Sequence, residues 1–169
     1  IISNGGDITL NSAGNLSLTE TWSVGGAITI TAADVFDLGT TASDINSGGG
    51  VVTMNVSGDI GTAENTAIEV NNSILNINNT GSNQSAFIRT TGGQGLTLND
   101  VDYNGAATYS LNVYASGTGD LTLAGEITDT NATSADVATI YLETQNADSG
   151  IILNDGTTVR SYGGDITYN

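Results

Sequence analysis

Apolar residues along this chain fall into short alternating triplets: an aliphatic residue, an outward residue, then another aliphatic. The triplets are Ile8-Thr9-Leu10, Ile28-Thr29-Ile30, Val52-Thr53-Met54, Leu75-Asn76-Ile77, Leu96-Thr97-Leu98, Leu121-Thr122-Leu123 and Ile140-Tyr141-Leu142. Ile166-Thr167-Tyr168 repeats the pattern with an aromatic in third place. Alternation with period two is the mark of a strand buried on one face. The first positions recur at intervals of 20, 24, 23, 21, 25, 19 and 26 residues. A strand-bearing unit of that length cannot bury its own apolar face, so successive units must stack. The spacing predicts an all-β solenoid of parallel strands with about seven to eight coils of roughly 19–26 residues each.

A second strand is expected after the triplet in several coils. Candidates are Leu16-Ser17-Leu18, Val35 to Leu38, Ile68-Glu69-Val70, Phe87-Ile88, Leu111-Asn112-Val113 and Ile151-Ile152-Leu153. Trp22 and Val24 mark a third, less regular face. Turn signals separate the strands, among them Gly48-Gly49-Gly50, Asn104-Gly105, Ser116-Gly117-Thr118-Gly119 and Asp155-Gly156. No stretch carries a strong helical period, and no linker-like block divides the chain, so residues 1–169 read as one solenoid segment.

Stacking of the triplets places Ile8, Ile28, Val52, Leu75, Leu96, Leu121, Ile140 and Ile166 in one buried column, with the residues two further on in the next. Leu75 and Ile140 are where the register can slip by one residue, which would exchange inside and outside. The outward rows become Thr9, Thr29, Thr53, Asn76, Thr97, Thr122, Tyr141, Thr167 and Asn11, Thr31, Asn55, Asn78, Asn99, Ala124, Glu143, Asn169. Asn stacked on Asn in such a row can bond along the stack. Trp22, Phe36, Phe87 and Tyr168 are expected partly or wholly against the core, filling wide corners.

Composition sharpens this picture. There are 23 Gly and no Pro. Glycine suits tight corners, and a ladder that uses nearly every backbone N–H leaves little room for proline. Eighteen acidic residues stand against Arg89 and Arg160 alone, a net charge of −16. Nucleic acid needs clustered Lys and Arg, so it is excluded as a partner. No apolar run approaches the ~20 residues of a membrane-spanning helix, so membrane insertion is not expected.

With no Cys, His or Lys, disulfides, thiolate sites and most catalytic constellations cannot be built. Acid pairs remain: Asp100 with Asp102, two apart on one strand face, and Asp34 with Asp37 around Val35-Phe36. Glycoside hydrolysis needs two carboxyls at a fixed separation across a cleft. Neither pair has a basic residue beside it in sequence, and solvated turn or edge acids account for both. No catalytic, cofactor-binding or metal site is assigned. Calcium is the one cofactor the acidity leaves open, yet no Asp-x-Asp-x-Asp-Gly loop occurs. Gly92-Gly93-Gln94-Gly95 only begins the nonapeptide of calcium-binding β-rolls. Asp7, Asp120 and Asp165 precede triplets at like positions, as local turn caps would. Asn-x-Ser/Thr sequons at Asn15, Asn55, Asn71, Asn78, Asn83 and Asn131 are unsurprising in a chain of this composition.

The repeated Gly-Gly-x-Ile-Thr stretch, followed by Gly14-Asn15-Leu16-Ser17-Leu18, resembles the filamentous haemagglutinin family of bacterial adhesins exported by two-partner secretion. So does Gly58-Asp59-Ile60-Gly61-Thr62-Ala63-Glu64-Asn65-Thr66-Ala67-Ile68-Glu69-Val70, although Thr66 stands where that family usually has Pro. The resemblance implies a right-handed parallel β-helix, export to the cell surface, and a shaft without catalytic residues. The end, Gly163-Gly164-Asp165-Ile166-Thr167-Tyr168-Asn169, nearly repeats Gly5-Gly6-Asp7-Ile8-Thr9-Leu10-Asn11, as in an internal piece of a longer array. The expected function is therefore a non-enzymatic structural shaft of a secreted or cell-surface fibre. Its expected partners are further coils or end-to-end copies, and host or environmental glycans. The competing readings are a carbohydrate-binding or carbohydrate-active β-helix and a Thr-rich ice- or surface-binding module. An ice binder would want two Thr in nearly every coil, and only Thr29 with Thr31 supplies them.

Overall fold

A computed structural model describes residues 1–39, 43–104, 108–131, 133 and 136–169. Each triplet does form a strand, and the chain returns to the same sheets again and again. The first return runs through β1 (Ile2–Ser3), β2 (Ile8–Asn11) and β3 (Leu16–Leu18). The second runs through β4 (Thr21–Ser23), β5 (Ile28–Ala32) and β6 (Val35–Asp37). β7 (Ile45–Asn46), β8 (Val51–Val56), β9 (Ile68–Asn71) and β10 (Ser73–Asn79) follow, with a 3-10 turn at Glu64–Thr66. The strands then lengthen: β11 (Gln84–Thr90), β12 (Leu96–Asp102) and β13 (Thr108–Ala115). The last are β14 (Leu121–Leu123), β15 (Glu126–Thr128), β16 (Val137–Thr144), β17 (Ile151–Leu153), β18 (Thr158–Val159) and β19 (Ile166–Tyr168).

Every strand pairing is parallel. One sheet runs β1-β4-β7-β9-β11-β13-β16-β19, and a second runs β2-β5-β8-β10-β12-β14-β17, with β15 and β18 beside it. β3 and β6 form a short third sheet, which the bridges Val35↔Ile60 and Ile60↔Ala86 lead into β11. Among the described residues there is no α-helix. The protein is all-β, a stack of parallel sheets compatible with a β-solenoid. The Asn104-Gly105 turn signal runs into residues outside those described.

Packing follows the columns. In the second sheet Ile8, Ile28, Val52, Leu75, Leu98 and Leu123 stand in register, all buried. In the first sheet Ala86, Leu111 and Ile140 form one column, and Ile88, Val113 and Leu142 form another. Fully burying such an aliphatic side chain contributes ~1.5–3 kcal/mol. The stack is thus held by many equal apolar contributions rather than by one large nucleus of aromatics.

The single column expected from the spacing is corrected in two places. Leu75 pairs with Leu98, while Leu96 lies opposite Ser73. The offset is two residues, so it preserves facing where a slip of one would reverse it. An extra residue at Asn99 then shifts the register, and Val101 and Tyr103 become the inward residues. Ile140 and Ile166 belong to the other sheet, where they pair with each other, and Leu121 continues instead to Ile151. The cause is spacing: Leu121 to Ile151 is a return of 30 residues, beyond the interval of the others. Ile166 is 38% exposed, on the last strand of its sheet.

The expected aromatic packing is corrected too. Trp22 and Tyr168 are 42% and 45% exposed, and Phe36 and Phe87 are half-buried outside the apolar core. Trp22, Phe36 and Phe87 occupy outward phases of their strands, with Trp22 between the buried Thr21 and Ser23, whereas Tyr168 continues the inward column of Leu142 and is exposed on the end strand of its sheet. The buried large rings are instead Tyr103, Tyr109 and Tyr114, the first two inside the apolar cluster.

Candidate functional site

Two side-chain devices shape the stack, one closing a corner within a turn and the other bonding one turn to the next, and they decide which polar groups are left for chemistry. The first is a corner of sequence Ser-x-Gly-Gly, at Ser3, Ser23, Ser47 and Ser161. Ser3 and Ser23 accept from the N–H groups of Gly6 and Gly26 at 3.0 and 3.1 Å. Ser47 and Ser161 donate to the carbonyls of Gly50 and Gly164 at 2.6 and 2.7 Å. At Gly50 the preceding turn presses close: an added Cβ would sit 2.5 Å from the Gly26 carbonyl oxygen. This corner escaped the sequence reading, although its signal, Ser three residues before the second Gly, recurs plainly.

The second device is an aspartate that accepts a backbone N–H one turn along the stack. Asp7 serves Ala27, Asp34 serves Asp59, Asp59 serves Ser85 and Asp44 serves Glu69, at 2.8 to 3.1 Å. Asp100, Asp102 and Asp120 serve Glu126, Thr130 and Gly150, at 3.3, 3.1 and 2.8 Å. Local capping, expected of Asp7 and Asp120, is therefore corrected: their bonds span 20 and 30 residues. At Asp165 it is the backbone carbonyl that accepts, from Ile140 N–H at 2.9 Å. Much of the acidity thus consists of charge-assisted bonds to backbone donors, which are stronger than neutral ones.

The acid pairs fare differently. Asp100 and Asp102 do share an outward face, beside an open hollow also bordered by Glu126, Thr128 and Thr130. Their oxygens are engaged, however: Asp102 holds both the N–H and the hydroxyl of Thr130. Asp34 and Asp37 diverge, with Asp34 bonded to Asp59 N–H and Asp37 joining a cluster that the sequence did not reveal. Gly93 and Gln94, from the partial β-roll stretch, border a second open hollow together with Asp120 and Asp148.

The cluster gathers Asp37 of β6, Asp44 just ahead of β7, and Glu69 of β9. One carboxylate oxygen from each lies within 4.8 Å of the others. Asp44 is fully buried and Glu69 is 9% exposed. Asp44 Oδ2 accepts Glu69 N–H at 3.1 Å, and Asp37 Oδ1 accepts Gly39 N–H at 2.7 Å. Asp44 Oδ1 and Glu69 Oε2 are buried with no hydrogen-bond partner among the described residues. Burial pushes the Asp44 carboxyl up to about 8; the bond from Glu69 N–H opposes this, while the neighbouring carboxylates Glu69 and Asp37 add to it. Arg89 lies at the border, 4.0 Å from both Glu69 and the exposed Glu64. Arg160 is exposed; its backbone carbonyl takes the Tyr103 hydroxyl.

The outward rows hold only in part. Thr9, Thr29, Thr53 and Asn76 stand in register, but Asp100 follows them, not Thr97. Tyr141 and Thr167 pair on the other sheet. Asn side chains do bond along the stack, Asn78 to Asn55 at 3.5 Å and Asn99 to Asn76 at 3.1 Å. Among the sequons, Asn71 is buried and accepts from Thr90 Oγ1, Thr91 N–H and Gly92 N–H at 2.8 to 2.9 Å. Its amide is committed to the fold. No helix of the described residues is long and apolar enough to cross a membrane. Comparison of the chain with family models, curated proteins and solved structures found no match.

Proposed function

We propose that this chain is a length of shaft from a secreted or cell-surface bacterial fibre or adhesin: a closed, right-handed parallel β-helix that acts as a non-enzymatic spacer. The observation that carries the reading is the unbroken parallel register from Ile8 through Ile28, Val52, Leu75, Leu98 and Leu123 to Leu153. Such a stack grows by adding turns, each ~4.8 Å further along, so length is the property that repetition supplies. The aspartates bonded from turn to turn support the same reading, because they place acidic groups in stacking roles. The resemblance of the Gly-Gly-x-Ile-Thr repeats to filamentous haemagglutinins supports export and surface display. In that setting the outward Thr and Asn rows are the surface offered to glycans.

The test is electron microscopy of the chain and of two and three copies of it joined in tandem, with protease accessibility on intact producing cells. A rod that lengthens in proportion to the turns added, cleaved from outside the cell, is the expected result. A compact particle, or a protein protected inside the cell, overturns it. The hollow beside Asp100, Asp102 and Glu126 favours one second reading, a carbohydrate-active surface. A glycan-degrading activity that is lost in Asp100→Asn would establish that reading in place of the shaft.

A further inference from the structure

We propose that Asp37, Asp44 and Glu69 bind a single calcium ion. Two independent observations carry this. The three carboxylates converge, with one oxygen of each inside 4.8 Å of the others. A span of 4.8 Å is the distance across an ion whose ligands lie at about 2.4 Å. Separately, two of the oxygens at this place, Asp44 Oδ1 and Glu69 Oε2, are buried and unpartnered among the described residues. Buried carboxylate oxygens without a donor are costly, and a bound cation would satisfy both at once.

The ligand set fixes the class of ion. It is all oxygen, from a chain with no His and no Cys, which suits hard cations and not zinc or copper. Asp44 Oδ2 and Asp37 Oδ1 are already held by the N–H groups of Glu69 and Gly39, so each residue offers one free oxygen. Asp37 is half-buried and gives the site its opening, where water can complete the coordination. Calcium tolerates such an irregular, partly hydrated set, whereas magnesium demands a near-ideal octahedron. The charge count agrees. With all three carboxylates ionised, as an ion would hold them, and Arg89 at 4.0 Å from Glu69, two negative charges face a divalent ion, and binding at neutral pH releases the proton that burial keeps on Asp44. Glu64, on the other flank of Arg89, is exposed and solvated.

Calorimetry and thermal melts of the whole chain, stripped with chelator, test this at neutral pH in about 0.15 M salt, where surface attraction is screened. Calcium is expected to bind once per chain, with an affinity in the ~10⁻⁴–10⁻³ M range of extracellular modules. At a hundredfold excess over Kd it should raise Tm by about 5–10 °C, and equimolar magnesium should not replace it. Asp37→Asn keeps its oxygen for Gly39 N–H and perturbs the core least. It should bind calcium at least tenfold more weakly with an unchanged circular dichroism spectrum, and Glu69→Gln should do the same. Asp155→Asn, an exposed acid in a distant turn, should bind like the parent chain. The proposal is overturned if calcium leaves Tm unmoved, or if Asp37→Asn binds as the parent does. It is also overturned if Asp44→Asn is as stable as the parent and the parent takes up no calcium. That last result would assign the cluster to a carboxyl pair sharing a proton.

Discussion

Tyr103 and Tyr109 stack face to face inside the core, their ring centroids 4.7 Å apart and their planes 9° from parallel. The rings are alike, but their hydroxyls are not. Tyr103 donates to the backbone carbonyl of Arg160, while the Tyr109 hydroxyl is buried with no partner among the described residues. Tyr103 directly follows β12 and Tyr109 lies in β13, and the pair supplies the large rings of an otherwise aliphatic core cluster.

Removing the unpartnered hydroxyl relieves a desolvation cost without opening a cavity. Tyr109→Phe should therefore leave stability unchanged or raise it by about 1–3 kcal/mol, measured by urea unfolding. Tyr103→Phe strands the Arg160 carbonyl and should lower stability by roughly 0.5–1.5 kcal/mol. A Tyr109→Phe chain less stable than Tyr103→Phe would contradict the two assignments.

Alkaline pH should expose the same pair. Burial raises the pKa of both phenols well above 10, and in each case the neighbouring tyrosine or acids add to the shift. The folded chain thus holds these protons more tightly than the unfolded chain does. Stability is fully retained below the unfolded tyrosine pKa of ~10 and is lost as pH climbs past it, by up to ~2.7 kcal/mol per pH unit for two phenols. Tyrosinate absorbance should rise in two steps, the later one coinciding with loss of the β-type circular dichroism. Complete ionisation of all six tyrosines with the fold intact would refute the burial of this pair.

Gly50 and Gly14 should respond oppositely to alanine. A Cβ at Gly50 would meet the Gly26 carbonyl oxygen at 2.5 Å, a backbone atom that cannot move without opening the turn-to-turn spacing. Gly50→Ala should cost about 1–3 kcal/mol. At Gly14 an added Cβ meets nothing within 4 Å and φ is not positive. Gly14→Ala should be neutral or stabilising by roughly 0.4–1 kcal/mol, through reduced freedom of the unfolded chain. Thermal melts of the two variants compare them directly.

The stacking was legible from the sequence because a period-two strand pattern recurred at nearly constant length. Ile8 to Leu75 could be placed in register residue by residue. Legibility ended where length varied: a 30-residue return carries Leu121 to Ile151, so Ile140, a perfect triplet by pattern, lies on the other sheet. The extra residue Asn99 was equally silent, since a bulge changes facing without changing composition. The aromatics mislead because size does not set burial: Trp22, Phe36 and Phe87 fall on outward phases, whereas the large rings inside are Tyr103 and Tyr109, with Tyr114 buried as well and Tyr162 packed against the core. The acidic cluster was invisible for a related reason. Asp37, Asp44 and Glu69 come from successive passes of the chain, and only three-dimensional register brings them together.

That same register leaves the stack open at its last turn. Ile152 and Leu153 of β17, with Ile166 and Tyr168 of β19, are exposed apolar side chains on strands that end their sheets. Leu153 stands directly in line with the buried Leu123, and among the described residues no strand pairs with β17 on its far side. Unpaired parallel edges carrying apolar side chains are templates for another strand. If the shaft reading holds, the isolated chain should associate end to end, and sedimentation velocity should show mass rising with concentration. Leu153→Lys places a charge in the open column and should weaken that association while sparing the fold, since the site is already half in water. The parent chain sedimenting as a monomer across a broad concentration range would mean that the end is capped. Association unaffected by Leu153→Lys would place the contact on another face.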